Sequence, residues 1–408
     1  MTDPEGSTPK ADAAAALAER AGVDREFVEE LLHGGVLTRR DHGDVREGDV
    51  RRVHVLHDLT RGGIPSALIV DALRRGTLNV DFVDQPSYDR FSAYETETFA
   101  DVSRRTGLPV DLLMVIREAS GSPAPAPGDR MRATELAIVP FLEAGARHGV
   151  QSESLEQTLR VAGDGVRRLA ETEADWWRSD ILGPLIQQGV TMEAIGTRTE
   201  PFATEISPLT DEALLALYHG HQAQAWMRNI FDGFENVLAR EGLHERLERL
   251  PAISFIDVTG YSQLTEERGD ASAADIAGRI ARLVQRVSAD HGGRTVKWLG
   301  DGLMVYHVEA RGAVEAGLDL LEAVDLEGLP PAHVGIHAGP VMFQEGDYFG
   351  RTVNAAARIA GHAGAGEILV SDAVKASATA GVAFDPIGPV ELKGMREPLA
   401  LYRVSRTR

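Results

Sequence analysis

Two acidic residues follow strand-like segments in the C-terminal part of the chain, and their positions suit metal binding. Asp257 lies near the end of the apolar run 252–258 and precedes a glycine turn, while Asp301 lies within a Gly-Asp-Gly sequence between two further apolar runs. Two carboxylates beside a hairpin are the ligands that a pair of Mg²⁺ ions bridging a triphosphate requires. Because Gly-Asp-Gly is also common in plain hairpin turns, this pattern alone leaves both interpretations open.

A second polar pattern occurs where the loop 346–350 leads into a predicted helix. Asn354 and Arg358 are four residues apart, so they lie on one face of that helix. An amide and a guanidinium on one face can converge on a phosphate or a sugar. Taken by itself, a helix start with a surface arginine explains the pattern better, so its meaning depends on the neighbouring segments.

The segments that must position these residues change character at Pro251. Before it, apolar residues recur at helical spacing, whereas after it short strand-like runs alternate with amphipathic helical stretches. The polar residues 1–12 are predicted to be a disordered tail because they bury too little apolar surface. The predicted domains are a first helical repeat over 13–98, a second over 99–165, a helical connector over 166–250 and a mixed domain over 251–408.

The predicted duplication in the helical half rests on a shift of 85 residues, which superposes Leu17–Val23 on Val102–Leu108. Each unit resembles the MerR-type winged-helix module, the first more clearly, through Leu17–Val23 and Gly35–Leu37. In a DNA reader, the helix after the Gly22-Val23 turn enters the major groove. Here that helix begins with four acidic groups against one arginine, so packing or ligand sensing is favoured over DNA binding.

Taken together and in this order, the segments 255–262, 296–302 and 346–358 resemble the catalytic domain of class III nucleotidyl cyclases over residues 251–404. The resemblance implies an α+β chain, in which an all-α N-terminal half precedes a catalytic domain with a ferredoxin-like βαββαβ core. It also implies a homodimer with active sites at the subunit interface.

The same resemblance implies a role for each site residue. Two Mg²⁺ or Mn²⁺ ions per site would be held by Asp257, Asp301 and the backbone carbonyl of Ile256. Lys297 and Asp347 would select the purine, Asn354 would position the ribose, and Arg358 would bind the phosphate in the transition state. A basic group at Lys393 or Arg396 would meet the terminal phosphates, and the sequence leaves open which of the two does so.

The choice of purine follows from hydrogen-bond donors and acceptors. Adenine offers an acceptor at N1 and a donor at N6, which complement the Lys297 ammonium and the Asp347 carboxylate, whereas guanine reverses that pattern. Such discrimination is strong because the wrong base leaves polar groups unpaired. ATP is therefore the expected substrate, with 3′,5′-cyclic AMP and pyrophosphate as products.

The composition of the 408-residue chain limits the classes of molecule that it is expected to bind. Lys and Arg number 42 against 62 Asp and Glu, so the formal net charge of −20 opposes binding to nucleic acid and to anionic membranes. Because there is no cysteine, disulfides and thiolate chemistry are excluded. The sequence contains no apolar run of about 20 residues, the length of a membrane-spanning helix. We expect a cytoplasmic enzyme without membrane or DNA partners.

The helical half is expected to regulate the cyclase domain, and a small molecule, a lipid or a pH change remain open as its signal. The segment Trp226–Leu250 is predicted as an amphipathic helix that either transmits this signal or only packs on the catalytic domain. Two other functions compete with the cyclase hypothesis. One is a cyclase-fold nucleotide sensor without turnover, and the other is a MerR-like DNA-binding regulator with an appended cyclase domain.

Overall fold

The computed structural model describes residues 13–38, 45–84, 94–243, 250–299, 302–377, 381–395 and 397–407, so the predicted tail over 1–12 lies outside the described residues. The chain divides into two compact units, Met1–Ile230 and Phe231–Arg408. The division falls inside a helix, whereas the sequence pattern placed the change at Pro251, where the first strand of the second unit begins.

The first unit is helical, as predicted. Its helices are α1 (Ala13–Ala21), α2 (Arg25–His33), α3 (Glu47–Arg61), α4 (Ser66–Arg74), α5 (Phe99–Thr106), α6 (Val110–Ala119), α7 (Ala133–Leu136), α8 (Val139–Arg147), α9 (Ser152–Trp176), α10 (Gly183–Gln187) and α11 (Met192–Arg240). A 3₁₀ turn spans Asp81–Asp84, and a π-helical turn, Trp177–Leu182, joins α9 to α10.

Two short strands, β1 (Tyr94–Thr98) and β2 (Arg130–Arg132), correct the all-α description of this half. They pair antiparallel, and the last residue of β1, Thr98, caps α5 through reciprocal hydrogen bonds with Asp101. The Arg117 guanidinium donates to the Glu135 carboxylate at 2.7 and 2.8 Å and to the carbonyl oxygen of Arg130 at 2.6 Å. Because this buried ion pair ties α6 to β2 and α7, it holds a strand that is too short to be predicted from sequence alternation.

The elements of the first predicted repeat recur in the second. Helices α1 and α2 correspond to α5 and α6, α3 corresponds to α7 plus α8, and α4 corresponds to the start of α9. Buried side chains occupy matching positions in the two cores: Leu17 and Val102, Val28 and Leu113, Leu56 and Leu142, Ile69 and Leu155. The main difference is the interruption between α7 and α8. Pro140 lacks the amide hydrogen that would bond the carbonyl of Leu136, where α7 ends.

Helix α11 is the longest element, with 49 residues, and it includes Pro201 and Pro208. The predicted amphipathic segment Trp226–Leu250 forms its last turns only as far as Arg240, because Gly242 adopts a positive φ of 70° that ends the helix. None of the helices in the described residues is long and apolar enough to span a bilayer.

The second unit contains a seven-stranded sheet and its helices. In chain order they are β3 (Ala252–Val258), α12 (Tyr261–Arg268), α13 (Asp270–Asp290), β4 (Gly293–Leu299), β5 (Gly302–His307), α14 (Ala310–Leu326), β6 (Ala332–Ala338), β7 (Met342–Gln344), β8 (Asp347–Phe349), α15 (Arg351–Ala360), β9 (Ile368–Ser371), α16 (Asp372–Ala376), β10 (Val382–Val390) and β11 (Leu399–Arg406). Strands β7 and β8 form a separate hairpin.

The predicted ferredoxin-like core is confirmed by the strand order β10-β11-β9-β6-β3-β5-β4. The four adjacent strands at one end of this sheet, β6-β3-β5-β4, follow the βαββαβ sequence of elements, and β3 pairs antiparallel with both β5 and β6. Helices α13 and α14 cover one face through a large apolar core, while α15 packs against β3 and β6. Ile253 and Met304 lie in the smaller buried cluster beside α15.

One buried histidine of the sheet makes its stability depend on pH. His307, at the end of β5, is 1% exposed, and within the described part of the chain neither ring nitrogen has a hydrogen-bond partner. Burial lowers the pKa of His307 to about 4, and the neighbouring His291 acts in the same direction. Burial also lowers the pKa of His337. Both rings are therefore neutral in the folded protein at neutral pH.

We predict that the second unit loses stability as the pH falls from 6.5 towards 4. In that window the unfolded state binds protons that folded His307 does not, so its contribution of about 3 kcal/mol disappears. Urea unfolding at pH 7.5 and pH 5 should show this loss. His307→Leu should reduce the pH dependence without abolishing it, because His337 remains, while a control substitution at exposed His362 should leave it unchanged. An unaltered slope in His307→Leu would contradict the assignment.

Candidate active site

The predicted purine-selecting residues are in contact in the structure. Lys297 lies on β4, opposite Met304 of β5, and Asp347 opens β8. The Lys297 ammonium donates a hydrogen bond to Asp347 Oδ2, and both side chains are partly exposed. The turn that brings Asp347 to this place consists of Glu345 and Gly346. Both have positive φ, as a two-residue type I′ hairpin requires.

Asp257 lies near the end of β3, where the register places it between Gly302 of β5 and His333 of β6. Its Oδ1 accepts a hydrogen bond of 3.0 Å from the backbone nitrogen of Val258. Its Oδ2 is 3.6 Å from His333 Nε2, and the other ring nitrogen of His333 is 3.2 Å from Thr259 Oγ1. The carboxylate is 40% exposed and therefore open to a ligand from solvent.

The surroundings of Asp257 fit the predicted divalent ions. A Cβ at Gly302 would lie 3.3 Å from the carbonyl oxygen of Ile256 and 3.6 Å from Asp257 Oδ1, so glycine keeps space beside both oxygens. Carboxylate and carbonyl oxygens are the donors that Mg²⁺ and Mn²⁺ prefer. Asp301, the second predicted carboxylate, lies outside the described residues. Within those residues no group of three or more His, Asp or Glu side chains is placed to hold a metal ion.

Asn354 and Arg358 share the exposed face of α15, as their spacing predicts. The opposite face of the helix is buried through Thr352, Ala355, Ala356, Ile359 and Ala360. Thr352 donates a hydrogen bond of 2.7 Å to the carbonyl oxygen of Pro340, which fixes the start of the helix at the end of β6. The amide and the guanidinium therefore point away from the core of their own unit.

Of the two candidate residues for the terminal phosphates, only Lys393 lies in the described chain, where it is exposed between β10 and β11. Arg396 lies outside the described residues. The neighbour of Lys393, Leu392, is buried in the same apolar cluster as Ile359 of α15. This packing holds the loop that carries Lys393 close to the end of the helix that carries Arg358.

The sequence did not indicate His333 and Thr259 as neighbours of Asp257. His333 lies 76 residues further along the chain, and only the antiparallel register of β3 and β6 brings it opposite the carboxylate. Thr259 follows Asp257 closely, at the start of the glycine turn after β3. No local pattern in either segment signals this contact.

These features, a βαββαβ sheet with a carboxylate at the end of its first strand and a polar helix face beside it, define a nucleotidyl cyclase fold. Residues 245–406 match the family model of the adenylate and guanylate cyclase catalytic domain. Residues 245–406 therefore form a catalytic domain of the adenylate and guanylate cyclase type, and a helical N-terminal half precedes it.

Several similar curated proteins come from Mycobacterium and Streptomyces. The chain is 26% identical over 328 residues to a pH-sensitive adenylate cyclase, MT1302, of Mycobacterium tuberculosis, covering 75% of this chain and 77% of that protein. It is 30% identical over 251 residues to the uncharacterized protein Rv2212 of the same species, and the match covers 60% of this chain and 62% of that protein. It is 29% identical over 227 residues to an adenylate cyclase of Streptomyces coelicolor, covering 55% and 56%. The chain thus spans less than two thirds of the last two relatives.

Solved structures of cyclases match about two fifths of the chain. The adenylyl cyclase CyaB from P. aeruginosa matches with 24% identity and a TM-score of 0.35, covering 39% of this chain and 94% of that chain. An adenylate/guanylate cyclase/hydrolase from Silicibacter pomeroyi matches with 27% identity and a TM-score of 0.35, covering 39% and 98%.

The expectation that Lys297 and Asp347 select the purine predicts a change of nucleotide preference on exchange. In Lys297→Glu combined with Asp347→Ser, the donor and acceptor no longer complement adenine, so kcat/KM for ATP should fall by about 100-fold relative to that for GTP. Steady-state rates with both nucleotides measure this ratio. Lys375→Glu, at a site outside the predicted set, is the control and should keep the original ratio. Unchanged ATP selectivity in the double variant would remove the pair from this role.

Proposed function

We propose that the protein is an adenylate cyclase that converts ATP to 3′,5′-cyclic AMP and pyrophosphate. The observation that carries the proposal is the contact between the Lys297 ammonium and the Asp347 carboxylate, which sets a donor beside an acceptor. Adenine presents the complementary pair at N1 and N6 on adjacent positions of one edge. Relatives named adenylate cyclase in Mycobacterium and Streptomyces support the same substrate.

In the proposed reaction, the ribose 3′-oxygen forms a bond to the α-phosphorus of ATP and its proton passes to solvent. The bond from that phosphorus to the bridging oxygen breaks, and pyrophosphate leaves with the electron pair. Asn354 orients the ribose, and Arg358 neutralises the charge that develops on the α-phosphate. Lys393 or Arg396 binds the terminal phosphates. Little covalent chemistry falls to the protein, because positioning and charge neutralisation dominate phosphoryl transfer.

We propose that Asp257, Asp301 and the Ile256 carbonyl hold two Mg²⁺ or Mn²⁺ ions. Bound there, the ions would lower the pKa of the 3′-hydroxyl and neutralise the triphosphate. The space that Gly302 leaves beside Asp257 Oδ1 supports this assignment. The contact with His333 on the other side supports a fixed orientation of the carboxylate, as partners of metal ligands commonly provide.

We propose that the enzyme works as a homodimer, in which each active site combines Asp257 and Asp301 of one subunit with the purine, ribose and phosphate residues of the other. Asn354 and Arg358 face solvent in the single chain, so a second copy is needed to enclose them. Apolar side chains that a dimer would cover are exposed on the same unit: Phe234, Val237, Leu238, Trp298, Leu299, Phe343 and Phe349.

The expected cytoplasmic location stays a prediction.

The dimer proposal predicts complementation between two inactive variants. Asp257→Ala and Arg358→Ala should each lower turnover by at least about 100-fold, because each removes a charge that the transition state requires. A co-expressed mixture should recover about a quarter of the wild-type rate, since half the dimers are mixed and each has one intact site out of two.

Differently tagged subunits allow the mixed dimer to be purified and its cyclic AMP production to be measured. Co-expression of two tagged copies of Asp257→Ala is the matched control and should stay inactive. Mixed dimers that form but produce no cyclic AMP would refute the shared site. Wild-type protein without cyclic product would instead favour the nucleotide-sensor alternative.

We propose that the helical half regulates the cyclase unit, with the signal open between a small molecule, a lipid and pH. His54, a half-buried histidine of this half, has a lowered pKa because of burial, and its Nε2 is 2.8 Å from the carbonyl oxygen of Ala21. One relative of the chain is named a pH-sensitive adenylate cyclase, which supports including pH among the signals.

Regulation predicts that the full chain and residues 251–408 differ in cyclase activity per active site. Measured from pH 5 to pH 8, the ratio of the two rates should change with pH if protonation is the signal, and stay constant but different from one if a ligand is required. Equal rates at every pH, with equal dimer content, would show that the helical half does not regulate the domain under these conditions.

A further inference from the structure

A cluster of one arginine and three aromatic side chains lies beside the Lys297–Asp347 pair. Arg294 lies on β4, three residues before Lys297, directly opposite Tyr306 of β5. Its guanidinium carbon is 5.1 Å from the ring centroid of Tyr306 and 5.3 Å from that of Tyr348, the residue after Asp347. Arg294 also donates a hydrogen bond to the hydroxyl of Tyr348.

The aromatic rings join the β7–β8 hairpin to the sheet. The rings of Tyr306 and Tyr348 stack with centroids 4.5 Å apart and planes 12° apart, and Phe343 of β7 lies 5.1 Å from Tyr348. Tyr348 is 7% exposed, in the apolar cluster of Ile253 and Met304. Each strand of the hairpin has only three residues, and those of β7 are exposed. Because so short a hairpin is not stable alone, its position depends on the anchor at Tyr348.

We propose that Arg294 is a positioning residue for purine selection, because through Tyr348 it holds the β7–β8 hairpin where Asp347 meets Lys297. The inference rests on the proposed cyclase function and deepens it. Successive residues of a strand point to opposite faces, so fixing the ring of Tyr348 in the sheet sets the direction of the Asp347 carboxylate. The backbone nitrogen of Tyr348 also donates to Asp347 Oδ1 at 2.8 Å, which couples the two residues directly.

A planar guanidinium is suited to this role. Its broad, planar group can contact two neighbouring rings and donate a directed hydrogen bond at the same time, which the compact lysine ammonium does less well. The hairpin also places the Phe349 ring centroid 5.9 Å from Lys297 Nζ. A shift of the hairpin therefore moves both Asp347 and Phe349 relative to Lys297. Asp257 on β3 and the exposed face of α15 are not part of the hairpin.

Loss of the Arg294 contacts should affect base recognition more than the chemical step. In Arg294→Met, KM for ATP should rise and the ratio of kcat/KM for ATP over GTP should fall by about 10-fold, while kcat for ATP changes by less than about 3-fold. Arg294→Lys should show the same direction because the ammonium cannot keep the contacts with both rings and with the Tyr348 hydroxyl together. Tyr348→Phe keeps the ring stack and loses only the hydroxyl, so its effect should be smaller than that of Arg294→Met.

A matched control is available in the same unit. Lys375 of α16 lies with its ammonium 4.2 Å from the ring centroid of Tyr402 on β11, so it makes a similar cation–π contact on elements outside the hairpin. Lys375→Met should keep both KM for ATP and the ATP-to-GTP ratio. Thermal unfolding of every variant identifies losses that come only from stability, and Arg294→Lys replaces Arg294→Met if the latter does not fold.

The outcomes separate the inference from the proposed function. A lower rate with both nucleotides at an unchanged ATP-to-GTP ratio in the Arg294 variants would overturn the positioning role. Wild-type protein that makes no cyclic AMP would refute the proposed function. In that case calorimetric affinities of wild type and Arg294 variants for ATP and GTP still decide the inference, which requires that the preference for ATP decrease in the variants.

Discussion

The catalytic unit depends on the close approach of helix α15 to the central strands of the sheet. Gly335 of β6 makes this possible, because a Cβ at that position would overlap the backbone of Ala360 at the end of α15. Gly339, near the start of the helix, would place a Cβ 2.8 Å from the hydroxyl of Thr352. Because a glycine lies against each end of α15, the helix packs directly on the backbone and its position is fixed. Its outer face carries Asn354 and Arg358.

The same sheet separates the charges that the reaction needs. The acidic oxygens lie at the end of β3, whereas the cationic and amide groups lie on α15, on β4 and in the loop before β11. A direct contact between Asp257 and Arg358 would neutralise both charges before substrate arrives, whereas the Lys297–Asp347 pair is proposed to recognise the base through its hydrogen-bond donor and acceptor. In the homodimer that we propose, these charges would belong to two subunits, and the triphosphate with its ions would supply the bridging charge, so dimer assembly and substrate binding would support each other.

The residue types of the candidate site were predictable because they are carried by local motifs, and the i, i+4 spacing of Asn354 and Arg358 already placed them on one helix face. The βαββαβ order was predictable from the alternation of strand and helix patterns. The contact between His333 and Asp257 was not, because the register of β3 against β6 is a non-local property. The strands β1 and β2 were missed because their pairing is held by the Arg117–Glu135 ion pair rather than by an alternating apolar pattern.

The charges of the first helical repeat bear on the DNA-binding alternative. Arg25 is paired with Glu29 within α2, and Arg52 is paired with Asp84 and Asp81. A DNA-binding surface requires cations that are available to phosphates, and pairing with local carboxylates reduces their contribution to the salt-dependent attraction. Within the described residues, the module therefore keeps a buried apolar core, while Arg25 and Arg52 are engaged by carboxylates of the same module. That combination favours a packing or sensing role of the module over DNA binding.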